Sequence, residues 1–477
     1  MSILKKFFKD TIIYGLATVL PRLMNFVLVP LHTDNLELSN YSDNTTFYIY
    51  AGFFNVLLTY GMETAFFRFF NTYKEKQKVF STVLISLTIT TILVLGTVFL
   101  FNKEIALFVN LDIEYFKLLI GLLALDTLVV APFAYLRATG KPIKFAAIKL
   151  SSLVVYVVLN YFFFWAVPEF NLQFSFYNKT DLVKYIFISN LAASVLTFLL
   201  LSPYFFNSKL LFSKAIFKKL INYGWPIMVA GLAYAINESF DKWLLPRELG
   251  KDINGAYSAC YKIAIFMTIF IQAFRLGAEP FFFNHAKEKN ATKTYADIMK
   301  YFVICGCFML IVVISFLDVI KEQLIPNQAY WIAMDIVPIV LLANLCLGIY
   351  FNLAIWYKLT DKTRYGMYLS IVGAVVTIAF NVIMIEKIGF IAAAWATLAA
   401  YGIMMVMSYI LGQKHYPVPY NLKHILGFLL LAVVICIMVL NTNSNYYINS
   451  VLVLLFLVIT VIVEKKELEQ LLKNKYN

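Results

Sequence analysis

The feature that most constrains this chain is a recurring run of about twenty apolar residues, long enough to cross a bilayer as a helix. Such runs fall at 11–31, 45–70, 79–101, 113–136, 144–167, 182–203, 222–246, 255–283, 297–319, 330–356, 366–386, 389–411, 424–441 and 447–463. They predict an all-α polytopic membrane protein with fourteen transmembrane helices. The gap at 386–389 leaves a single turn between two spans. Composition agrees: 14% of the residues are charged and 61% hydrophobic, where a soluble domain carries about 25% charged residues. An ordinary soluble protein, a disordered chain and a secreted disulfide scaffold are excluded. The gaps are too short for a soluble domain of about 100 residues.

The gaps carry an alternating charge. The N-terminus, 71–78, 137–149, 204–221, 284–300, 357–365, 412–423 and 464–477 together hold 27 Lys and Arg, and the intervening gaps hold 6. Basic residues stay on the cytoplasmic side, so both termini are expected there. The net charge of +13 follows from this bias, and no nucleic-acid partner is expected. The start, MSILKKFFKD, reads as an interfacial amphipathic segment. The run behind it holds Pro21 and Arg22, lacks a small-residue cleavage site, and reads as a retained first span. Cys260, Cys305, Cys307, Cys346 and Cys436 lie in apolar stretches without CxxC or zinc spacing, as buried apolar residues do. His32, His285, His415 and His424 are expected in loops. No Walker A, dinucleotide or nucleophile-elbow motif stands in a soluble context, so no ATPase activity, no other enzyme activity and no organic cofactor are expected.

The chain repeats itself. A shift of 216 residues lays 15–67 over 231–283 without a gap and with 13 identities over 53 positions, among them Gly15-Leu16-Ala17 on Gly231-Leu232-Ala233 and Glu63 on Glu279. A shift of 221 lays LRATGKP (136–142) over YKLTDKT (357–363) and Asn160 over Asn381. Spans 1–6 therefore repeat as spans 7–12. Because six is even, both copies enter from the same side, and a pseudo-twofold along the membrane normal relates two six-helix lobes. The expected organisation is an N-lobe at 1–203, a cytoplasmic amphipathic linker at 204–221, a C-lobe at 222–412, and helices 13–14 with a tail at 413–477. Two lobes about one axis suit alternating access to a cavity between them; a duplicated scaffold with a packed interface is the plainer reading.

Charges inside the spans separate these readings. Arg22, Glu63, Asp126, Glu238, Asp241, Lys242, Arg275 and Glu279 lie well inside predicted helices. Each would cost at least about 2.5–3.5 kcal/mol facing lipid at the bilayer centre, so they face a wet cavity or pair with each other. Asn55, Thr59 and Glu63 share a helix face by spacing, as do Gln272, Arg275 and Glu279. The repeat places Arg22 and Asn25 over Glu238 and Asp241. Helices 1, 2, 7 and 8 are thus expected to line the cavity. Arg68, Lys117, Lys184 and Lys262 stand near span ends and can snorkel. Pro21, Pro226 and Pro280 are either plain kinks or bends that follow changing access.

Several motifs occur in order: LVPL (28–31), GMETAFFRFF (61–70), LRATGKP (136–142), and Asn381 followed by IGFIAAAWATL (388–398). With the 6+6+2 plan, the chain resembles the polysaccharide-repeat flippases of the O-antigen and capsule type, in the multidrug/oligosaccharidyl-lipid/polysaccharide exporter superfamily. It departs from them after Asn381, where IEKIGF lacks a proline, and in the degraded second copy of RATGK. The resemblance implies a bacterial inner-membrane protein that moves an undecaprenyl-pyrophosphate-linked oligosaccharide from the cytoplasmic to the periplasmic leaflet. It implies as partners this lipid-linked oligosaccharide, membrane lipids, a polysaccharide polymerase and a chain-length regulator. Arginine suits a pyrophosphate because its planar fork donates two hydrogen bonds together. Arg22 and Arg275, then Lys242, are the first candidates, with Asn25, Glu63, Asp126 and Glu279 completing the cavity set. By similarity to peptidoglycan-precursor flippases, a coupling Na+ is placed at Glu238 or Asp241 with Thr377, Asn381 and Thr397; H+ is the alternative ion. A cation-coupled drug or metabolite antiporter of the same superfamily is the rival reading, although it calls for an acidic pocket. A peptidoglycan-precursor flippase is another, with a cavity richer in arginine. A membrane polymerase or ligase would want a large outer loop, which the chain lacks.

Overall fold

A computed structural model describes residues 26–206, 210–286, 288, 290–360, 362–442 and 445–473, without the side chains of 276, 279, 280, 284 and 466–473. The described residues form helices and no strand. Eleven of these helices are long and apolar enough to cross a membrane. They match the predicted stretches apart from 11–31, which falls mostly outside the described residues, and 45–70 and 222–246. These last two are helical but too polar, and they hold Glu63, Glu238, Asp241 and Lys242 of the candidate site. By fold the chain is an all-α multi-pass membrane protein.

The chain divides into two compact units, 1–259 and 260–477. The main helices of the first are α1 (26–35), α2 (Leu38–Thr59), α3 (Met62–Thr72), α4 (Lys76–Leu100), α5 (Asn102–Val109), α6 (Ile113–Leu128), α7 (Val130–Ala138), α8 (Pro142–Tyr161), α9 (Val183–Leu201) and α10 (Lys214–Glu248). Pro142 starts α8, where a missing N–H does no harm, and a π turn at Phe162–Ala166 follows it. α10 packs on α2, α3 and α4, while α6 packs on α2, α4 and α9.

Two sequence expectations change here. The segment 204–221 is not a separate amphipathic helix. Ser213 caps α10 by accepting from the Ile216 N–H, and the second half of the segment forms the first turns of one 35-residue helix that runs through Pro226. Nor is 45–70 one helix. Tyr60 (φ 32) and Gly61 (φ 74) break it into α2 and α3. A Cβ on Gly61 would lie 2.3 Å from the Gly224 carbonyl oxygen, and one on Gly224 would lie 2.7 Å from the Tyr60 oxygen. The break and α10 thus meet backbone to backbone, which only glycine permits.

The second unit holds α12 (Ile265–His285), α13 (Ala291–Ser315), α14 (Ile336–Leu353), α15 (Arg364–Ile388), α16 (Ile391–His415), α17 (Leu422–Leu440) and α18 (Tyr446–Lys473); α11 (Lys251–Tyr261) lies across the division. α16 packs on α14 and α15, and α13 packs on α17 and α18. The single turn expected near 386–389 is present. Gly389, at φ 68, ends α15 and lets α16 begin two residues later without the proline.

Candidate functional site

In the first unit the helix break moves Glu63 off the expected stripe. It opens α3 instead of continuing the α2 face of Asn55 and Thr59. There its carboxylate accepts from Arg137 Nη1 at 2.7 Å, both side chains being about half exposed. The Arg137 guanidinium stacks 4.9 Å from the Phe67 ring centre. The GMETAFFRFF and LRATGKP motifs therefore meet in one ion pair, which their sequence separation does not suggest. Asp126, on α6, accepts from Ser194 Oγ at 2.7 Å. Lys149, on α8, lies within electrostatic range of both Asp126 and Glu63. Its ammonium sits 4.4 Å from the Phe133 ring centre.

Asp241 and Lys242, assigned different roles from sequence, form one buried pair on α10. Asp241 is 2% exposed. Lys242 Nζ lies 3.2 Å from both of its carboxylate oxygens, Tyr257 OH donates to Oδ2 at 2.7 Å, and the Lys242 N–H donates to Oδ1 at 2.8 Å. Lys242 Nζ also donates to the Glu238 carbonyl at 3.0 Å. The hydrogen bonds to this carboxylate thus include a charge-assisted one from a matched cation. Any further cation there must share it with Lys242. Arg22 and Asn25 lie outside the described residues.

In the second unit the Arg275 guanidinium lies over the Phe351 ring, 4.1 Å from its centre. The Glu279 side chain lies outside the described residues. Thr377, Asn381 and Thr397 are all buried on the packed pair α15 and α16. Asn381 Nδ2 donates to the Thr377 carbonyl at 2.8 Å, and Thr397 Oγ1 donates to the Ala393 carbonyl at 3.0 Å. Asn381 Oδ1 is buried without a hydrogen-bond partner. The side-chain oxygens of these three residues are donors of the kind a hard cation takes. No group of three or more His, Cys, Asp or Glu among the described residues could hold a metal ion.

Sequence reading missed seven buried or half-buried polar residues because it counted them as loop. His32 is 6% exposed, inside α1, with Nε2 2.8 Å from Asn160 Oδ1. His285 and His415 end α12 and α16, and His424 begins α17. Lys149 lies within α8. Lys300 and Glu464, both buried, pair at 2.6 Å between α13 and α18. The repeat held a signal for the first of these, since Asn160 is the counterpart of Asn381. Lys184, expected to snorkel, pairs with Glu114. Four cysteines are buried as expected, whereas Cys305 is exposed on an apolar helix.

The fold and these intramembrane charges define a membrane protein of the transporter type, within the multidrug/oligosaccharidyl-lipid/polysaccharide exporter superfamily. Residues 7–278 match the model of the polysaccharide biosynthesis protein family, and the chain belongs to that family. Residues 226–383 also match the MatE family. Among solved structures, the lipid II flippase MurJ in an inward closed conformation aligns at 16% identity and TM-score 0.73, covering 96% of this chain and all of that one. An inward-facing multidrug resistance MATE transporter aligns at 13% identity and TM-score 0.65, covering 83% and 94%. The MATE transporter VcmN of Vibrio cholerae aligns at 14% identity and TM-score 0.61, covering 86% and 96%. No curated protein matches the chain.

Proposed function

We propose that this protein is an alternating-access flippase that carries an undecaprenyl-pyrophosphate-linked oligosaccharide from the cytoplasmic to the periplasmic leaflet of the bacterial inner membrane, for surface polysaccharide synthesis. The observation that carries the reading is the match to the polysaccharide biosynthesis family over 7–278, a region that includes the two polar helix segments, 38–72 and 214–248. In this reading the lobes are 1–203 and 222–412, with 204–221 between them, 413–477 appended and both termini cytoplasmic. Arg22 and Arg275 take the pyrophosphate. The Phe351 ring lies against the Arg275 guanidinium, a cation–π contact that positions the fork without cancelling its charge. The Asp241–Lys242 pair presents one buried charge of each sign on α10. The polar glycan crosses along these groups while the polyprenyl tail stays in lipid.

No bond is made or broken in this cycle, so the chain needs no enzyme chemistry. A coupling cation, Na+ by preference to H+, sits at Thr377, Asn381 and Thr397 with Asp241 or Glu238. The orphaned Asn381 oxygen supports it. A polysaccharide polymerase and a chain-length regulator are the proposed protein partners. The likeness to a lipid II flippase over 96% of the chain favours, as a second reading, a peptidoglycan precursor as the cargo.

The test is mass spectrometry of lipid-linked intermediates in cells depleted of this protein. Build-up of an undecaprenyl-pyrophosphate oligosaccharide is expected, and Arg22→Ala or Arg275→Ala should reproduce it while the protein still inserts. Build-up of a peptidoglycan precursor instead would select the second reading. No build-up, with new sensitivity to cationic dyes, would overturn both in favour of a drug exporter.

A further inference from the structure

We propose that one end of the first unit is a docking surface for the phosphate headgroups of anionic phospholipids. Five exposed cations stand there on separate aromatic rings. Arg68 lies 4.4 Å from the Tyr223 ring centre, Lys76 5.4 Å from Phe70, Arg137 4.9 Å from Phe67, Lys144 5.0 Å from Tyr204 and Lys219 5.3 Å from Tyr73. The rings belong to one aromatic cluster built around Phe66, Phe70 and Phe80. Within it Tyr135 bridges Phe70 to Tyr204, and Phe69 bridges Tyr73 to Tyr223.

A ring face positions a cation without cancelling its charge. Across 62–78, 137–149 and 210–223 there are eleven Lys and Arg, against only Glu63 and Glu75. Both glutamates are paired, with Arg137 and Lys78. The surface therefore carries a large uncompensated positive charge.

Beside the cations lies an apolar strip. Phe206, Leu210, Leu211 and Phe212 are 81%, 61%, 48% and 50% exposed. Their backbone is tied to α4, because the Leu211 N–H donates to Ser81 Oγ at 2.5 Å and the Ser213 N–H donates to Thr82 Oγ1 at 3.2 Å. Apolar side chains beside cations are the pattern that seats a segment at the headgroup level of an anionic leaflet. The cations are spread over five elements and do not converge on one point. That suits several headgroups better than the single pyrophosphate of a carrier lipid. The proposal does not depend on which cargo the protein moves.

The test is native mass spectrometry of the whole purified protein, delipidated and then titrated with phosphatidylglycerol, phosphatidylcholine or undecaprenyl pyrophosphate. One variant carries Lys76→Gln, Lys144→Gln and Lys219→Gln. A second carries Arg at the same three positions. A control removes equal charge at the opposite end of the unit, through Lys103→Gln, Lys117→Gln and Lys179→Gln. A basic residue near an anionic surface contributes about 1 kcal/mol, or about fivefold. The Gln triple should therefore hold phosphatidylglycerol about a hundredfold more weakly, and the Arg triple and the control should bind like the wild type. Equal binding by the Gln triple, or an equal loss in the control, would overturn the proposal. So would a wild type that prefers undecaprenyl pyrophosphate at these same lysines.

Discussion

The pair Lys300–Glu464 makes a quantitative prediction. Its side chains are 5% and 3% exposed and lie 2.6 Å apart. His424 Nδ1 lies 3.4 Å from the other Glu464 oxygen, so one carboxylate joins α13, α17 and α18. At an effective dielectric constant near 20, charges at this separation attract by about 6 kcal/mol. Burying each ion costs several kcal/mol, so the pair as a whole is close to neutral in stability. Removing one member is different, because it strands a buried charge. Glu464→Leu should cost about 3–5 kcal/mol. Lys300→Met alone strands the carboxylate and should cost as much, and Lys300→Met together with Glu464→Leu should recover most of the loss, so the coupling energy should exceed the usual range of about 0.5–3 kcal/mol. The assay is a double-mutant cycle of unfolding in detergent, at a fixed heating rate because membrane proteins often unfold irreversibly. A single-variant cost below about 1 kcal/mol, the typical worth of a surface pair, would refute the reasoning, and so would strict additivity of the two changes.

Three further outcomes follow from contacts described above. Gly224→Ala places a methyl against the Tyr60 carbonyl and should destabilise by about 1–3 kcal/mol, whereas Gly96→Ala, with open space at its Cβ, should be neutral or better in the same unfolding assay. Arg137→Ala breaks a half-exposed ion pair and should cost less than about 1 kcal/mol, yet glycan export should fall sharply at unchanged membrane abundance; unchanged export would deny that pair a transport role. His32→Leu strands Asn160 Oδ1 in a buried site and should cost about 1–3 kcal/mol, and adding Asn160→Leu should cost less than the sum of the single changes.

The fold was legible because its strongest determinant is written locally: apolar length defines a span. The turn at Gly389 could be read the same way, whereas 222–246, read as an apolar span, is a helix too polar to count as one. What escaped was set by contacts between distant residues. Nothing local in TYGMET announces that α2 stops at Thr59, because the break is held by Gly224, more than 160 positions away. Lys149, Lys300 and Glu464 fell in stretches assigned to loops because charge is the signal that ends a predicted span. A charge matched by a buried partner defeats that rule. His32 failed for the same reason: its partner Asn160 is 128 residues away. The site residues were legible as types but not as pairs, and Glu63, Asp241 and Lys242 each acquire their chemistry from a partner.

The repeat also sets two buried amides in correspondence. Asn160 and Asn381 are counterparts under the 221-residue shift, and both are fully buried. Each donates from Nδ2 to the carbonyl one turn earlier, of Tyr156 and of Thr377. They differ in the other half of the amide. The imidazole of His32 sits against Asn160 Oδ1, whereas Asn381 Oδ1 has no hydrogen-bond partner. A buried carbonyl left unmatched costs about 1–3 kcal/mol, and near-symmetric helices would not retain that cost in one copy without return. A cation bound at Asn381 would offset it, because it supplies the missing positive partner and also draws on the Thr377 and Thr397 oxygens. In the first unit the His32 imidazole already fills that place. The two copies thus offer chemically different answers to the same orphaned amide, and the proposed Na+ belongs to the second.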